Sequence, residues 1–384
     1  MLFKFKIKLI MNKKLYYFIV GETSGDQHAA LLMKELIAKN KNITFAGVGG
    51  SKMEQFNFSS LYPMNKLAVM GFWEVLKKFS FFKSVEKNIL LDIIKKKPDK
   101  IILIDYPGLN LRIAKKLTRF NFDIIYYITP QVWAWKEKRI NILKSCVNEL
   151  IVIFPFEVKY YKNHNMSSSF VGHPFFDEWK PTSKEILRKN LGLDASNPVL
   201  TLYPGSRQDE IKKHLQIFIR SAYLIKKEIP NLQIVIGSAP NININEFYHI
   251  EDNILIESQF PRQALECSDI AILASGTATI EAAIFSIPSV VVYKSSFFSW
   301  FLASLFIKTN FIAMTNLIAK KEVMPEFIQY KANPIHISKK LIDIYKNKNN
   351  YNDILNDLKS VSKKLGEPGA SKKAAEIIMG SNDH

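Results

Sequence analysis

Four short segments of this chain carry polar side chains directly after an apolar run, at positions where chemistry could take place. Their sequences are GETSGD (residues 21–26), DYPGLN (105–110), PGSR (204–207) and ASGTATIE (274–281). Each apolar run is typical of a β-strand, and open parallel sheets bind ligands beyond the carboxyl ends of their strands. The four segments are therefore the candidate ligand-binding and catalytic loops.

The first two loops could bind a substrate and move a proton. Ser24, Gly25 and Asp26 would bring polar groups and a close backbone to a ligand, although a tight turn that caps the next helix is the alternative. Asp105 could accept the proton of a sugar hydroxyl, which is a poor nucleophile until a base removes that proton. A helix N-cap is an equally good interpretation of Asp105, and Asn110 ends the same loop.

The third loop contains a cation suited to a diphosphate. Gly205 and Ser206 precede Arg207. The planar guanidinium could hold, by paired hydrogen bonds, the negative charge that develops on a nucleoside diphosphate leaving group. A surface arginine that caps a neighbouring loop is the alternative.

The fourth loop is small and hydroxylated at a predicted helix start. Ser275, Gly276 and Thr277 would offer backbone amides to a phosphate. Glu281, in the first turns of the helix, could accept hydrogen bonds from both ribose hydroxyls of a nucleotide. Alternatively, the hydroxyls only cap the helix and Glu281 favours its positive end.

No metal or cofactor is expected. The sequence lacks an Asp-x-Asp pair after a strand and a Walker-type phosphate loop. Cys146 and Cys267 are far apart and have no metal-ligand spacing, so neither a zinc site nor a disulfide framework is indicated, which favours a reducing cytoplasm. Arg207 and helix dipoles would replace a metal ion, and His173 is expected to be structural.

The elements around these loops alternate between strand and helix. Strands are predicted at residues 15–20, 100–104, 124–128, 150–154 and 169–171 and, after a polar helical stretch at 181–198, at 199–203, 233–236, 254–256, 270–273 and 289–293. This alternation predicts the α/β class, with two doubly wound, Rossmann-like domains facing across a cleft. We expect domains at residues 1–178 and 179–345, followed by a helical segment at 346–384.

Charge and apolar content favour an anionic partner. The chain has 53 basic and 35 acidic residues and a net charge of +18. Acidic phospholipid, nucleic acid and phosphorylated metabolites all fit that charge, unless coding bias explains the lysines.

Residues 67–82 collect large apolar side chains, among them Met70, Phe72 and Trp73, beside lysines. This composition suits a membrane interface, with ordinary core packing as the alternative.

Two further segments bear on targeting. Residues 297–307 are apolar but fall well short of the ~20 residues needed to span a bilayer. Residues 1–10 alternate apolar side chains with lysine and lack the apolar core of a signal peptide. We therefore expect neither export nor a membrane span, and the first ten residues could lie outside the fold.

In its motifs the chain resembles the lipid-A-disaccharide synthases over nearly its whole length. The motifs are GETSGD (21–26), MGFWEV (70–75), DYPGLN (105–110), YITPQVWAW (127–135), FPFE (154–157), VGHP (171–174), PGSR (204–207), SGTATIE (275–281), NLIA (316–319) and PEFIQ (325–329). The resemblance implies a GT-B type transferase that joins UDP-2,3-diacylglucosamine to 2,3-diacylglucosamine 1-phosphate. The bond formed would be a β(1→6) link, made with inversion and release of UDP.

The resemblance also implies roles for individual residues. Asp105 would be the base or an acceptor-orienting carboxylate, and Arg207 would clamp the diphosphate. Glu281 would contact the ribose, and Asn316 and Gln329 would be polar residues of the nucleotide-sugar site.

The resemblance implies a location and partners as well. The region around Met70 would face lipid, which places the protein at the inner face of the cytoplasmic membrane, bound to anionic lipid. No nucleic acid is expected as a partner, and the chain could pair with a second copy.

A few positions depart from the usual family pattern. Ala29 and Lys320 stand where the family commonly has glycine, Thr129 where it has serine, and Thr315 where it has proline. These departures concern local geometry, since the residues with implied chemical roles are intact.

Two other classes of function fit parts of the sequence. One is another UDP-N-acetylglucosamine enzyme with the same fold, such as an epimerase or a cell-wall precursor transferase, because fold does not fix function. The other is a non-catalytic protein that binds anionic lipid or nucleic acid.

Overall fold

The computed structural model describes residues 13–64, 79–134, 137–240, 242–250, 253–294 and 309–380. The chain divides into two units. One extends to Trp179 and takes in the chain again from Gly366, and the other comprises Lys180–Leu365. The second boundary between the units, at Gly366, falls within the helical segment expected at 346–384.

Within the described residues, the first unit contains a sheet of seven parallel strands. They are Lys14–Val20 (β1), Ile43–Gly49 (β2), Ser60–Pro63 (β3), Lys100–Ile104 (β4), Ile124–Tyr127 (β5), Glu149–Val152 (β6) and Ser169–Phe170 (β7). Their order across the sheet is β3-β2-β1-β4-β5-β6-β7. The chain builds outward from β1 in one direction and then restarts at β4 in the other, so a topological switch point lies between β1 and β4.

Helices connect these strands and bury them. They are Thr23–Lys39 (α1), Ser51–Glu54 (α2), Phe79–Lys96 (α3), Pro107–Leu117 (α4), Ile140–Cys146 (α5) and Pro155–Asn163 (α6). Consecutive residues of β1, from Tyr16 to Val20, are all fully buried. Because successive side chains of a strand point to opposite faces, both faces of β1 are covered, as expected for a parallel sheet.

The second unit repeats this plan with a sheet of six parallel strands among its described residues. They are Val199–Tyr203 (β8), Gln233–Gly237 (β9), Ile254–Glu257 (β10), Ile270–Ala274 (β11), Ser289–Tyr293 (β12) and Glu326–Ile328 (β13). The order β10-β9-β8-β11-β12-β13 again reverses direction, here between β8 and β11. The helices are Lys184–Asn190 (α7), Gln208–Glu228 (α8), Pro261–Glu266 (α9), Ala278–Ile284 (α10), Met314–Ala319 (α11), Pro334–Lys346 (α12) and Lys348–Lys364 (α13).

The last helix, Ala370–Met379 (α14), packs against α1 in the first unit. The Asp177 carboxylate accepts hydrogen bonds from the backbone N–H groups of Gly369 at 2.6 Å, Ala370 at 3.1 Å and Ser371 at 2.7 Å. A negative charge thus caps the positive end of α14.

Most predicted strands are confirmed, and the differences are local. Strands β2, β3 and β13 were not predicted, and the helix expected over 181–198 is confined to Lys184–Asn190. In the part of the chain that the structure describes, every helix is too short or too polar to cross a bilayer.

Candidate functional site

The loops after β1 and β4 lie side by side at the switch point of the first sheet. Val20 pairs with Ile104 at the ends of the two strands. The contact beyond them is so close that a Cβ atom on Gly21 would lie 2.4 Å from the ring of Tyr106. The structure therefore brings the loops 21–26 and 105–110 together.

Asp105 occupies an unusual backbone conformation. Asp105 and the following Tyr106 both have φ of 45°, in the left-handed region that residues with a side chain rarely adopt. Such strain costs of order 1–3 kcal/mol per residue and concentrates at functional sites. The N-cap of α4 is Tyr106, without a side-chain cap. The N-cap interpretation of Asp105 is therefore wrong, and its side chain is partly exposed at the end of β4.

Two side chains hold the Asp105 backbone in place. The buried Asn110 amide donates to the Asp105 carbonyl at 2.7 Å and to the Ile104 carbonyl at 3.2 Å. The Tyr126 hydroxyl donates to the Asp105 carbonyl at 2.6 Å. We expected Asn110 to contact a substrate, but its burial favours a role in positioning Asp105.

Asp26 is buried and holds a neighbouring turn. Its carboxylate accepts hydrogen bonds from the backbone N–H groups of Gly50 at 2.9 Å, Lys52 at 3.0 Å and Met53 at 3.3 Å, at the start of α2. The N-cap of its own helix is Glu22. Asp26 therefore caps α2 instead of α1, and its bonds argue against direct ligand contact.

The other two residues expected in this loop differ in exposure. Gly25 is buried, and a Cβ atom there would lie 2.8 Å from Cγ1 of Val20, so glycine allows α1 to approach β1. Ser24 is exposed in the first turn of α1. Ser24 is thus the one of the three predicted residues in this loop that could contact a ligand.

In the second unit, Glu210 shapes the loop after β8. Gly205 has φ of +122°, and a Cβ atom there would lie 2.5 Å from Oε2 of Glu210. The same oxygen accepts from the backbone N–H of Ser206 at 3.1 Å. Arg207 donates from Nη1 to Oε1 of Glu210 at 3.1 Å, and its side chain remains 49% exposed. The guanidinium is therefore held at one nitrogen and faces solvent beside the second switch point.

His214 supports this loop from beneath, and sequence reasoning missed it. Its Nε2 accepts from the Lys294 backbone N–H at 3.0 Å, so Nδ1 carries the hydrogen and donates to the Pro204 carbonyl at 3.0 Å. Burial lowers the pKa of His214 below its usual 6.5. A single histidine in an amphipathic helix gave no signal of this contact between the ends of β8 and β12.

Glu281 faces a second arginine. Its Oε1 accepts from Nε of Arg262, in the first turn of α9, at 3.2 Å. Burial raises the pKa of Glu281, and the Arg262 charge opposes that rise. Burial, together with the Glu281 charge, raises the pKa of Tyr203 at the end of β8. Sequence reasoning missed Arg262, although a Pro-Arg pair opening a helix after a strand was a usable signal.

The loop after β11 combines a buried anchor with an exposed turn. The Ser275 hydroxyl donates to the Ile312 carbonyl at 3.3 Å, and the Thr279 hydroxyl donates to the Gly276 carbonyl at 2.9 Å. Gly276 and Thr277 are exposed, and Thr277 occupies the N-cap of α10 without a side-chain cap. The exposed turn at 276–277 is therefore the part that could contact a ligand.

Asn316 is buried and uses its whole amide internally. Nδ2 donates to the Met324 carbonyl at 2.7 Å and to Oε1 of Glu326 at 2.9 Å. Oδ1 accepts from the backbone N–H groups of Val323 at 2.8 Å and Met324 at 2.9 Å. We expected Asn316 to bind the nucleotide sugar. These four bonds instead favour a role in shaping the turn between α11 and β13.

Two residues near this turn have left-handed backbones. Gln329, at the end of β13, has φ of 52° and is partly exposed, which is compatible with its expected place in a site. Lys320, just after α11, has φ of 61°. This is a conformation that glycine adopts at low cost and a residue with a side chain does not, so Lys320 carries backbone strain that a glycine would relieve.

Other expectations fall outside these loops. The expected membrane-contact residues Met70, Phe72 and Trp73 lie outside the described residues. Of the residues with a described position, no group of three or more His, Cys, Asp or Glu side chains could hold a metal ion. His173 accepts at Nδ1 from the Phe175 backbone N–H at 3.3 Å, a structural contact.

Comparisons with known proteins agree with the resemblance seen in the motifs. A family model described as lipid-A-disaccharide synthetase matches residues 16–379. Lipid-A-disaccharide synthase 1 of Legionella pneumophila (strain Lens) is 35% identical over 375 residues, covering 96% of this chain and 97% of the relative.

Solved structures support the fold. A UDP-GlcNAc 2-epimerase from Neisseria meningitidis has a TM-score of 0.67 at 13% identity, covering 95% of this chain and 99% of that one. A calicheamicin glycosyltransferase has a TM-score of 0.62 at 11% identity, covering 97% and 100%. The two Rossmann-like units are thus those of GT-B glycosyltransferases and related epimerases.

Proposed function

Because this chain belongs to the lipid-A-disaccharide synthase family, we propose that it transfers 2,3-diacylglucosamine from UDP to the 6-hydroxyl of 2,3-diacylglucosamine 1-phosphate. The transfer inverts the configuration at the anomeric carbon of the donor and gives the β(1→6) disaccharide 1-phosphate and UDP. Membership in this family supports synthesis of the lipid A disaccharide by glycosyl transfer. The identity of the two substrates and the inversion at the anomeric carbon are our proposal.

The proposed roles follow the movement of charge. The acceptor oxygen bonds to the anomeric carbon of the donor as its proton passes to the Asp105 carboxylate. The bond to the UDP oxygen breaks, and Arg207 stabilises the negative charge that forms on the diphosphate. Glu281 accepts hydrogen bonds from the ribose, while the turn at 276–277 and Gln329 complete the nucleotide-sugar site.

One observation carries the proposal: in each sheet, the predicted loops flank the topological switch point. Asp105 follows β4 beside β1, and Arg207 follows β8 beside β11. Ligands of doubly wound sheets bind at such points. The Asp105 backbone is strained, and two side-chain hydrogen bonds hold its carbonyl in place. Strain of this kind persists at functional sites, which supports a role that needs the Asp105 carboxylate in one fixed position.

The rival function is an epimerase acting on UDP-N-acetylglucosamine. It is favoured only by fold likeness, at identities of 13% and below among the structures named above. Fold likeness at that level does not carry an activity. The match over residues 16–379 favours the synthase.

The two functions separate in one experiment. Purified protein is mixed with both acylated glucosamine substrates, and products are identified by mass spectrometry. The proposal expects disaccharide 1-phosphate and UDP in equal amounts. A parallel reaction with UDP-N-acetylglucosamine alone should leave the sugar unchanged. Epimerised or hydrolysed sugar there, with no disaccharide in the first reaction, would establish the rival.

We also propose that the protein works at the inner face of the cytoplasmic membrane, because both substrates carry acyl chains and the chain bears a charge of +18. Vesicles that contain anionic lipid should sediment the protein at low salt and release part of it at high salt. Absence of binding at low salt would contradict this location. Pairing with a second copy stays a further expectation.

A further inference from the structure

A buried carboxyl group away from the four candidate loops links two other loops of the first unit. Glu157, near the start of α6, is 1% exposed. Its Oε2 accepts from the Phe154 backbone N–H at 3.2 Å, which anchors it to the end of β6. Its Oε1 accepts from Nε1 of Trp133 at 3.1 Å and from the Thr129 hydroxyl at 3.4 Å. Both of these donors belong to the loop after β5.

The loop after β5 has a shape that needs such support. Ile128 has φ of 59°, which is costly for a β-branched residue. Thr129 and Val132 are buried, whereas Gln131 between them is exposed. Trp133 packs edge-on against Phe156, with ring centroids 4.8 Å apart. The inner side of the loop is therefore fixed, and its outer side faces solvent.

This loop is also the direct neighbour of Asp105. Ile104 of β4 pairs with Tyr127 of β5, and the Asp105 backbone N–H donates to the Tyr127 carbonyl at 3.3 Å. Residues 128–134 therefore continue from the same sheet edge as Asp105. A shift of this loop would therefore displace a ligand that binds beside the Asp105 carboxylate.

We infer that Glu157 is a positioning residue for the acceptor substrate, acting through Thr129 and Trp133 to fix the loop 128–134 next to Asp105. The inference rests on the proposed function in assigning the acceptor to this sheet edge. Glu157 itself contacts no substrate in this scheme, since it is buried behind the loop.

Titration of Glu157 should change the fluorescence of Trp133, which bonds to it. Burial raises the pKa of Glu157 to about 8, although the bonds from Trp133, Phe154 and Thr129 favour the ionised form. The other titratable group on α6 that interacts with it is Tyr161, whose pKa is raised by burial and by the Glu157 charge. Glu157 therefore changes charge near neutral pH while Tyr161 stays neutral, and Trp133 bonds directly to the group that changes.

The first experiment tests the contact without any substrate. Trp133 emission is obtained as the difference between wild-type protein and Trp133→Phe, because the chain has five tryptophans. It should change with pH with an apparent midpoint near 8, and Glu157→Gln should abolish that change. A pH response that persists unchanged in Glu157→Gln, or Trp133 emission that is the same in Glu157→Gln and wild-type protein at every pH, would overturn the inferred contact even if the proposed reaction is correct.

The second experiment tests the positioning role by a double-mutant cycle. Glu157→Gln and Trp133→Phe should each lower kcat/KM for the acceptor about tenfold, and the double variant should lose little more than either alone. UDP affinity, measured by calorimetry, should be unchanged. The matched control is Glu149→Gln, which removes a carboxylate that accepts from Ser169 at the amino end of β6. Its kinetics should resemble wild type.

The outcomes separate the two proposals. Fully additive losses, wild-type kinetics in Glu157→Gln, or an equal loss in Glu149→Gln would overturn the positioning role while the reaction stands. A wild-type protein that makes no disaccharide overturns the proposed function, and the positioning role falls with it. The fluorescence titration then still reports on the contact alone.

Discussion

Replacing Asn316 by aspartate tests whether this residue shapes a turn or binds substrate. The carboxylate would keep the acceptor for Val323 and Met324, but it would place an oxygen where Nδ2 lies 2.9 Å from Oε1 of Glu326 and 2.7 Å from the Met324 carbonyl. Two hydrogen bonds are lost. The carbonyl of the buried Met324 loses the amide donor, at about 1–3 kcal/mol. Oε1 of Glu326 keeps its bonds from the Ile312 and Ala313 N–H groups but now faces a second carboxylate, which adds repulsion between like charges. We expect Asn316→Asp to lower the free energy of unfolding by roughly 2–5 kcal/mol at pH 7.

Acid should partly rescue this variant. The introduced carboxylate faces the negative charge of Glu326, which raises the pKa of the introduced group. It therefore takes up a proton as pH falls, and that proton restores a hydrogen bond. The hydrogen bond that the proton restores is lost again as pH rises through the raised pKa. The difference in unfolding free energy between wild-type protein and Asn316→Asp should therefore be smaller at pH 5 than at pH 7. Urea unfolding followed by circular dichroism at both pH values measures this.

Asn333→Asp is the matched control. Asn333→Asp places the same charge at the N-cap of α12, where the Asn333 side chain accepts from the Ile335 backbone N–H and aspartate caps equally well. Its stability should match wild type. If Asn316→Asp were as stable as wild type at pH 7 but had lost turnover, Asn316 would be a substrate contact and our reasoning would be refuted.

Three further predictions concern the supports of the two loops and the turn after α11. Tyr126→Phe removes the hydroxyl that holds the Asp105 carbonyl, so kcat should fall about tenfold with only about 1 kcal/mol lost in stability; unchanged kcat in steady-state assays would contradict this. Because the pKa of His214 is lowered on folding, the unfolded chain takes up a proton below pH 6.5 that the folded protein resists. Protonation of His214 should therefore lower the free energy of unfolding by at most about 1.4 kcal/mol for each pH unit of acidification. His214→Gln should remove this contribution from the dependence of the unfolding free energy on pH, measured by urea unfolding. Lys320→Gly relieves a left-handed backbone and should raise the unfolding free energy by about 1 kcal/mol; a decrease in the urea midpoint would count against it.

The central strands and their loops were predictable because burial on both faces leaves uninterrupted apolar runs. Strands β1 and β4 end where polar residues begin, so Asp105 could be placed at a strand end from sequence alone. Strands β3 and β13 escaped prediction because β3 (SLYP) ends in proline and β13 (EFI) begins with glutamate, so neither short segment forms an uninterrupted apolar run. Strand β2 contains two glycines, which weaken a strand pattern.

The roles of buried polar residues were less predictable, because their partners are set by tertiary contacts. Asp26 lies in a loop typical of ligand binding, yet its partners are backbone amides 24 to 27 residues further along the chain. Asn110, in the first turns of α4, and Asn316, in α11, likewise belong to motifs that suit a site, yet their amides bond inward to the protein. Residue type and spacing located the loops but could not tell the side chains that face a ligand from those that hold the loop.

The most direct test of this account compares wild-type protein with Asp105→Asn and Arg207→Ala in the disaccharide assay, each variant with a matched control. The controls are Asp123→Asn, at the start of β5 in an ion pair with Lys100, and Arg220→Ala, exposed on α8. We expect both site variants to lose kcat by about a hundredfold or more, with folding intact and the controls at wild-type rates. Formation of the disaccharide at the wild-type rate by Asp105→Asn or by Arg207→Ala would contradict the account.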